Sequence, residues 1–163
     1  MTANEKKMLR IYTDGAARGN PGSAGWGAVF IAQDKNKEKI FEMGGRSNHA
    51  TNNQMELTGP IEALKYIKSH KLNATEGVKI VSDSKYVILG ITEWIFNWQK
   101  NDWRNAAKKP VVNKELWEAL HELTQELKPA WEYVKGHNGD KFNDRADEIA
   151  TSFADNNPVE LKK

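Results

Sequence analysis

A chain of 163 residues has the length of one ordinary domain, and a formal net charge of +2, from 24 basic and 22 acidic side chains, does not by itself name a partner. The absence of cysteine excludes a disulfide scaffold and thiolate metal sites, and the apolar runs fall far short of the ~20 residues that span a bilayer, which excludes a helical membrane protein. Met1 to Lys7 is polar and lacks the apolar core of a signal sequence, so a cytoplasmic location is expected.

Leu9 to Asp14 reads as a first strand that runs into the glycine-rich turn Gly15 to Gly22 with a carboxylate at the junction. Trp26 to Ile31 is a second strand, Gln33 to Lys37 a hairpin turn, and Lys39 to Gly44 a third strand, which together make an antiparallel meander. Thr51-Asn52-Asn53-Gln54 has the capping-box pattern, and Leu57, Ile61, Leu64 and Ile67 follow on one helical face, so a helix runs from about Asn52 to His70. Pro60 removes the N–H that would bond the Glu56 carbonyl, which predicts a kink after Glu56 or a helix that effectively begins at Pro60. Val78 to Ser82 is a buried fourth strand. Asp83-Ser84 can cap a short helix, Lys85 to Leu89, that Gly90 ends.

Thr92 to Lys100 forms a further helix with Trp94 and Trp98 one turn apart, and Asn101 to Pro110 is an irregular basic segment. Asn113 caps the helix Lys114 to Leu127, which Pro129 stops. Ala130 to Val134 alternates as a fifth strand, Gly136 to Gly139 is a flexible loop, and Asn143 to Ala154 is a last helix with Ala146, Ile149, Ala150 and Phe153 inward. The order predicts an α/β domain spanning 1–163. Its five-stranded mixed sheet is antiparallel over the first three strands, then parallel through helical crossovers, with helices on its faces.

Four carboxylates fall at element ends or inward-leaning helix positions: Asp14, Glu56, Asp83 and Asp147. Each has a plainer role as well, since Asp14 before a glycine forms turns, Asp83 can be an N-cap, Glu56 favours a helix N-terminus and Asp147 can lie on a solvated face. If the first and fourth strands are parallel neighbours, Asp14 and Asp83 share the carboxyl edge of the sheet, where open α/β sheets place ligands. Three or four carboxylates crowded together repel one another unless a divalent cation neutralises them, and an oxygen-only set favours magnesium or manganese over zinc. Two such ions ~3.5–4 Å apart are a known arrangement for in-line phosphoryl displacement, so the set reads as a nuclease. His137, between two glycines, carries an imidazole able to move a proton near neutral pH. Four of the six tryptophans crowd between Trp94 and Trp117, alongside the densest basic cluster. Rings interleaved with positive charge suit a nucleic-acid backbone and its bases; Trp94 is assigned to the core, and Trp98 and Trp103 to nucleic acid.

Thr13-Asp14-Gly15 with Gly19-Asn20-Pro21-Gly22, Thr51 to Leu57, Ser82 to Val87, and Trp131-x-x-Val134-Lys135-Gly136-His137-x-Gly139 with Asn143-x-x-Ala146-Asp147 resemble, in order, the signature blocks of bacterial type 1 ribonuclease H. The resemblance covers about residues 9–155. It implies a ribonuclease H-like fold and an endonuclease that cleaves the RNA strand of RNA·DNA hybrids, leaving 5′-phosphate and 3′-hydroxyl ends. By position it makes Asp14, Glu56, Asp83 and Asp147 ligands of two Mg²⁺ ions, with Mn²⁺ a possible substitute, Asp14 contacting both and His137 an auxiliary catalytic group. Asn20, Asn52 and Asn53 match minor-groove contacts, and an amide that both donates and accepts suits a 2′-hydroxyl.

Lys85 stands where the family often has glutamine, so a phosphate contact is expected there. Thr51 and Asn113 match a pocket for a DNA-strand phosphate, in which His49 replaces a common arginine. The segment Trp94 to Lys109, with Lys100, Arg104, Lys108 and Lys109, resembles the family's basic protrusion. No separate hybrid-binding module is expected ahead of the first strand, and the protein is expected to act as a monomer. Two other readings remain open at this level: a non-catalytic hybrid-binding module, which would lack one of the acids, and a DNA-directed nuclease of the same superfamily, which would have no use for the asparagine set.

Overall fold

The computed structural model describes residues 7–72, 77–136 and 138–163. Strands β1 (Lys7–Arg18), β2 (Gly22–Asp34) and β3 (Lys37–Ala50) form an antiparallel meander. After helix α1 (Asn52–Ser69), strand β4 (Val78–Ser82) returns parallel to β1, and β5 (Ala130–Tyr133) lies parallel to β4. The sheet order is therefore β3-β2-β1-β4-β5, the mixed sheet expected from the chain.

All three meander strands run past their predicted ends. The ladder between β1 and β2 continues through Gly15↔Trp26 to Arg18↔Ser23, so Gly15 lies within paired strand and the chain turns only at Gly19 to Pro21. Asp14 is consequently inside β1, not at its end. Its parallel neighbour stops earlier: the β1–β4 pairing ends at Thr13↔Ser82, which leaves a notch beside Asp14.

Thr51 caps α1 by accepting from the Gln54 backbone N–H at 3.1 Å, while the Gln54 side chain accepts from the Thr51 N–H at 2.9 Å. The helix therefore starts at Asn52 and runs unbroken through a buried Pro60, in place of a start at Pro60. Gly90 does not end α2 (Lys85–Leu89). A π-helical turn over Gly90–Trp94 carries the chain on into α3 (Ile95–Lys100). The glycine serves packing here, because a Cβ at Gly90 would enter the Trp117 ring.

Asn113, in the left-handed region at φ 63°, stands at the N-cap of α4 (Lys114–Leu127) as expected and accepts there from the Trp117 N–H through its carbonyl at 3.0 Å, but its side chain makes no capping bond. Helix α5 (Lys141–Ala154) begins two residues earlier than predicted because Asp140 caps it, accepting from the N–H groups of Phe142 and Asn143.

Two apolar layers sandwich the sheet. Ile11, Phe30 and Ile80 pack with Leu57 and Leu64 of α1 and Trp117 and Leu120 of α4; Tyr12, Val29, Ile31 and Val81 pack with Ala146 and Ile149 of α5. The alternation of Ile11 and Tyr12 between layers is the period-two pattern of a strand buried on both faces.

The C-terminal tail, which the sequence did not place, docks on the second layer. Val159 and Leu161 pack there, and Glu42 of β3 exchanges bonds with Lys162: the Glu42 N–H donates to the Lys162 carbonyl at 2.8 Å, and the Lys162 N–H donates to Glu42 Oε1 at 2.8 Å. Arg145 of α5 joins them, donating to both Glu42 oxygens at 2.8 and 2.9 Å and to the Glu160 carbonyl at 2.9 Å. Glu42, with only 5% of its side chain exposed, is held below the usual carboxylate range by that guanidinium. Arg145→Ala would leave this carboxylate buried without its charged donor. It is expected to lower stability by about 1.5–3 kcal/mol in urea unfolding, the range for hydrogen bonds to charged groups; a change under ~0.5 kcal/mol would mean the clamp is solvated and idle.

Candidate active site

The notch beside Asp14 is where three elements meet. Asp14 is 4% exposed, and its Oδ1 accepts from the Gly15 N–H at 2.9 Å. Gly15 lets α1 close on the sheet, since a Cβ there would collide with the Glu56 nitrogen and the Met55 carbonyl carbon. The capping box sets where α1 begins, so Glu56 falls in its second turn against Asp14. Glu56 Oε2 is buried and has no hydrogen-bond partner among the described residues.

Asp83 leaves the end of β4. Ser84, not Asp83, caps α2, accepting from the Val87 N–H at 3.2 Å, and Ser82 Oγ accepts from the Ser84 N–H at 3.0 Å. The Asp83 carboxylate is thereby free to face the notch, where Asn143 Nδ2 donates to its Oδ2 at 3.3 Å.

One oxygen from each of Asp14, Glu56 and Asp83 lies within 4.8 Å of the others. Asp147, half-buried on α5, stands outside this trio, yet its charge is felt by Asp14. Burial first, then the Asp83 charge, pushes the Asp14 pKa up to about 8, against the opposing pull of hydrogen bonds from Glu56 and the Gly15 N–H. Burial and the Asp14 charge likewise raise Glu56 well above the carboxylate range. The trio cannot ionise fully without a counter-charge. An all-oxygen donor set with one orphaned buried oxygen fits a hard divalent cation.

The residues expected to touch substrate fall into three groups. Asn20 Oδ1 accepts from the Asn52 N–H at 3.0 Å, which ties the β1–β2 turn to the start of α1 and sets exposed Asn20, Asn52 and Asn53 close together. Thr51 and Asn113 meet through Gln54, whose Nε2 donates to Asn113 Oδ1 at 3.3 Å; Asn113 Nδ2 and Trp117 Nε1 both donate to the Tyr86 hydroxyl, at 3.2 and 3.1 Å. Gln54 and Tyr86 were missed as supports of this pocket. The capping box pointed to Gln54, but nothing in the sequence pointed to Tyr86.

The basic segment is tightly wound: Trp103 N–H donates to the Trp98 carbonyl at 2.6 Å, Arg104 pairs with Pro110, and Asn105 Oδ1 accepts from Ala107 and Lys109. Lys100, Arg104, Lys108 and Lys109 are exposed on it. Trp94, assigned to the core, is 37% exposed, whereas Trp98 and Trp103 are half-buried against the first layer, with Trp98 edge-on to Trp117 at 5.2 Å. Trp94 sits at the solvent side of this aromatic cluster, edge-on to Tyr86 at 6.2 Å and tilted against Trp98 at 6.1 Å, while Trp117 fills the buried side. Lys85 is exposed, its Nζ 5.7 Å from the Tyr133 ring centre, and His49 is exposed. His137 lies outside the described residues.

A mixed sheet with a cation-ready carboxylate trio where its parallel pairing ends defines a metal-dependent α/β enzyme of the kind that works on phosphate esters. The RNase H family model matches residues 6–155, and the chain belongs to that family. It is 44% identical over 152 residues to the ribonuclease H of Thermosynechococcus vestitus, covering 93% of this chain and 92% of that protein. It is 47% identical over 145 residues to that of Ruthia magnifica, covering 89% and 94%. Among solved structures, LC11-RNase H1 in complex with RNA/DNA hybrid superposes with a TM-score of 0.66 at 26% identity, covering 91% of this chain and 97% of that one.

A folded pKa of about 8 against an ordinary 3.8 means that, as pH rises through that window, the unfolded chain releases a proton that the folded state keeps. The contribution of Asp14 to metal-free stability therefore falls from below pH 4 toward pH 8. Asp14→Asn is expected to raise the metal-free thermal midpoint at pH 7.5 by about 3 °C or more, the size of ~1 kcal/mol in a chain this long. A lower midpoint in EDTA would mean the carboxylates do not repel.

Proposed function

We propose that this protein is an endonuclease that hydrolyses the RNA strand of RNA·DNA hybrids and leaves 5′-phosphate and 3′-hydroxyl ends. The observation that carries the reading is the convergence of Asp14, Glu56 and Asp83 in a notch at the sheet edge, with one buried oxygen, Glu56 Oε2, unpaired among the described residues. Two Mg²⁺ ions, with Mn²⁺ as substitute, would be held by Asp14, Glu56, Asp83 and Asp147, with Asp14 shared. When bound, they supply a water activated for in-line attack and stabilisation of the leaving 3′-oxygen.

The chain's own groups do the remainder. Asn20, Asn52 and Asn53 present amides that donate to and accept from 2′-hydroxyls, which selects RNA at the scissile strand. Thr51 and Asn113, joined through Gln54, take a phosphate of the DNA strand, and the Tyr86 and Trp117 contacts hold the pocket's shape. Lys85, Lys100, Arg104, Lys108 and Lys109 neutralise backbone phosphates, while Trp98 and Trp103 offer ring faces beside them. His137 moves a proton toward the leaving group. The protein works as a single-domain monomer in the cytoplasm.

The test is a gel assay with end-labelled hybrid, duplex DNA and duplex RNA, each with Mg²⁺ and with EDTA. Only hybrid with Mg²⁺ should be cut, and only in its RNA strand; cleavage in EDTA, or duplex DNA cut as fast as hybrid, rules the reading out. Asp14→Asn should remove nearly all turnover in the same assay. His137→Ala should cost at most the ~10²–10⁴-fold of general acid–base catalysis. Binding should weaken with salt, and Lys108→Ala with Lys109→Ala should reduce the log–log slope by about 1.4–1.8 if each meets a phosphate. An unchanged slope would remove this loop from the grip.

A further inference from the structure

Asn143 reaches Asp83 at the notch and has no role in the activity proposed above. It is 1% exposed in the first turn of α5, and its backbone N–H is pinned by the Asp140 cap at 3.2 Å. Its amide makes one bond, from Nδ2 to Asp83 Oδ2 at 3.3 Å, and its own Oδ1 is buried with no partner among the described residues. Keeping a half-satisfied amide inside a core is costly, so the single bond it makes is the place to look for its purpose.

The chemistry of that bond is selective. An arginine or lysine facing Asp83 would cancel the charge a cation needs, and a carboxylate would add a further negative charge beside Asp14 and Glu56, which burial first and their acidic neighbours second already raise. An amide donor alone fixes the carboxylate and leaves its charge in place. Asp83 is otherwise lightly held: it follows the last paired residue of β4 and takes no part in capping α2. Behind it Gly136 is so close that a Cβ there would stand 2.9 Å from Asp83 Oδ2, so the carboxylate is bounded by backbone on one side and gripped by Asn143 on another.

We propose that Asn143 is a positioning residue that orients Asp83 as a cation ligand, holding Oδ2 so that the other oxygen faces the site, and that it sets metal affinity without itself touching substrate. This rests on the metal-dependent reading of the trio. It differs from a role in packing α5, which would affect stability and not metal binding.

The test uses Asn143→Ala and Asn143→Ser, each checked for folding by circular dichroism. Mn²⁺ binding is measured by titration calorimetry in the absence of nucleic acid, and hybrid cleavage across Mg²⁺ concentrations. Loss of an outer partner to a ligand carboxylate should weaken Mn²⁺ binding about tenfold or more and raise the half-saturating Mg²⁺ by a similar factor. The KM for hybrid at saturating Mg²⁺ should stay within about twofold of the parent, since only the ligand geometry has changed. A Mn²⁺ affinity within twofold of the parent in folded variants overturns the proposal, as does failure of both variants to fold. If the parent binds Mn²⁺ but cuts no hybrid, the functional reading fails while the calorimetric comparison still decides the role of Asn143.

Discussion

The burial of Asp14 and Glu56 beside Asp83 is the constraint around which this fold is arranged. Carboxylates prefer water, and two of these three are raised far from their ordinary pKa because the sheet and α1 exclude it. A fold that stops there has only placed charge where it is unwelcome. The cost becomes useful when a divalent cation is available, because the same crowding and low dielectric that oppose ionisation strengthen attraction to the ion. The metal-free fold is thus destabilised at its own centre, and the site is pre-organised because the surrounding elements, not the ligands, fix its geometry.

Those elements fix it by three separate devices. Parallel pairing with β4 stops at Thr13↔Ser82, one residue short of Asp14, so the sheet itself opens the notch. The capping box of Thr51 and Gln54 determines the register of α1, and Gly15 lets that helix approach until Glu56 meets Asp14. Ser84 takes the capping duty at α2, which leaves Asp83 free. Helix α5, bearing Asn143 and Asp147, is fastened at the far side by Arg145 to Glu42 and the tail. Each device acts on backbone, which is stiffer than a side chain and loses less entropy when a ligand arrives.

Much of this was legible in the chain. Local signals mark two of the acids, Asp83 by the end of β4 and Glu56 by Thr51 to Gln54 before α1, whereas Asp14 lies inside β1 and Asp147 in the middle of α5, where the resemblance of their motifs, not an element boundary, singled them out. Strand extents were not legible, because Gly15, Gly19 and Gly22 carry the same letters whether they break a strand or make room for a helix. The same ambiguity hid the π-turn at Gly90, where contact with Trp117, 27 residues later, decides the outcome. Trp94 was misassigned because helical spacing gives a face but not which face a distant ring will fill. Asn143 was visible only as a letter in a motif; its bond to Asp83, 60 residues away, has no local signature.

The distribution of charge gives the proposed activity a built-in order of events. Lys100, Arg104, Lys108 and Lys109 stand on a wound loop with tryptophans at its base, and they attract a polyanion from a distance with little regard to sequence. The trio does not. Without a cation, Asp14 and Glu56 keep protons near neutral pH, so the notch offers an approaching phosphate no positive charge to bind. A nucleic acid can therefore be held by the loop without being drawn into the notch, and only cation binding supplies a positive field at the reacting position. On this reading the cation does more than chemistry: it decides whether a bound strand can reach the site at all, so affinity for nucleic acid and competence to cut it are controlled by different parts of one small sheet.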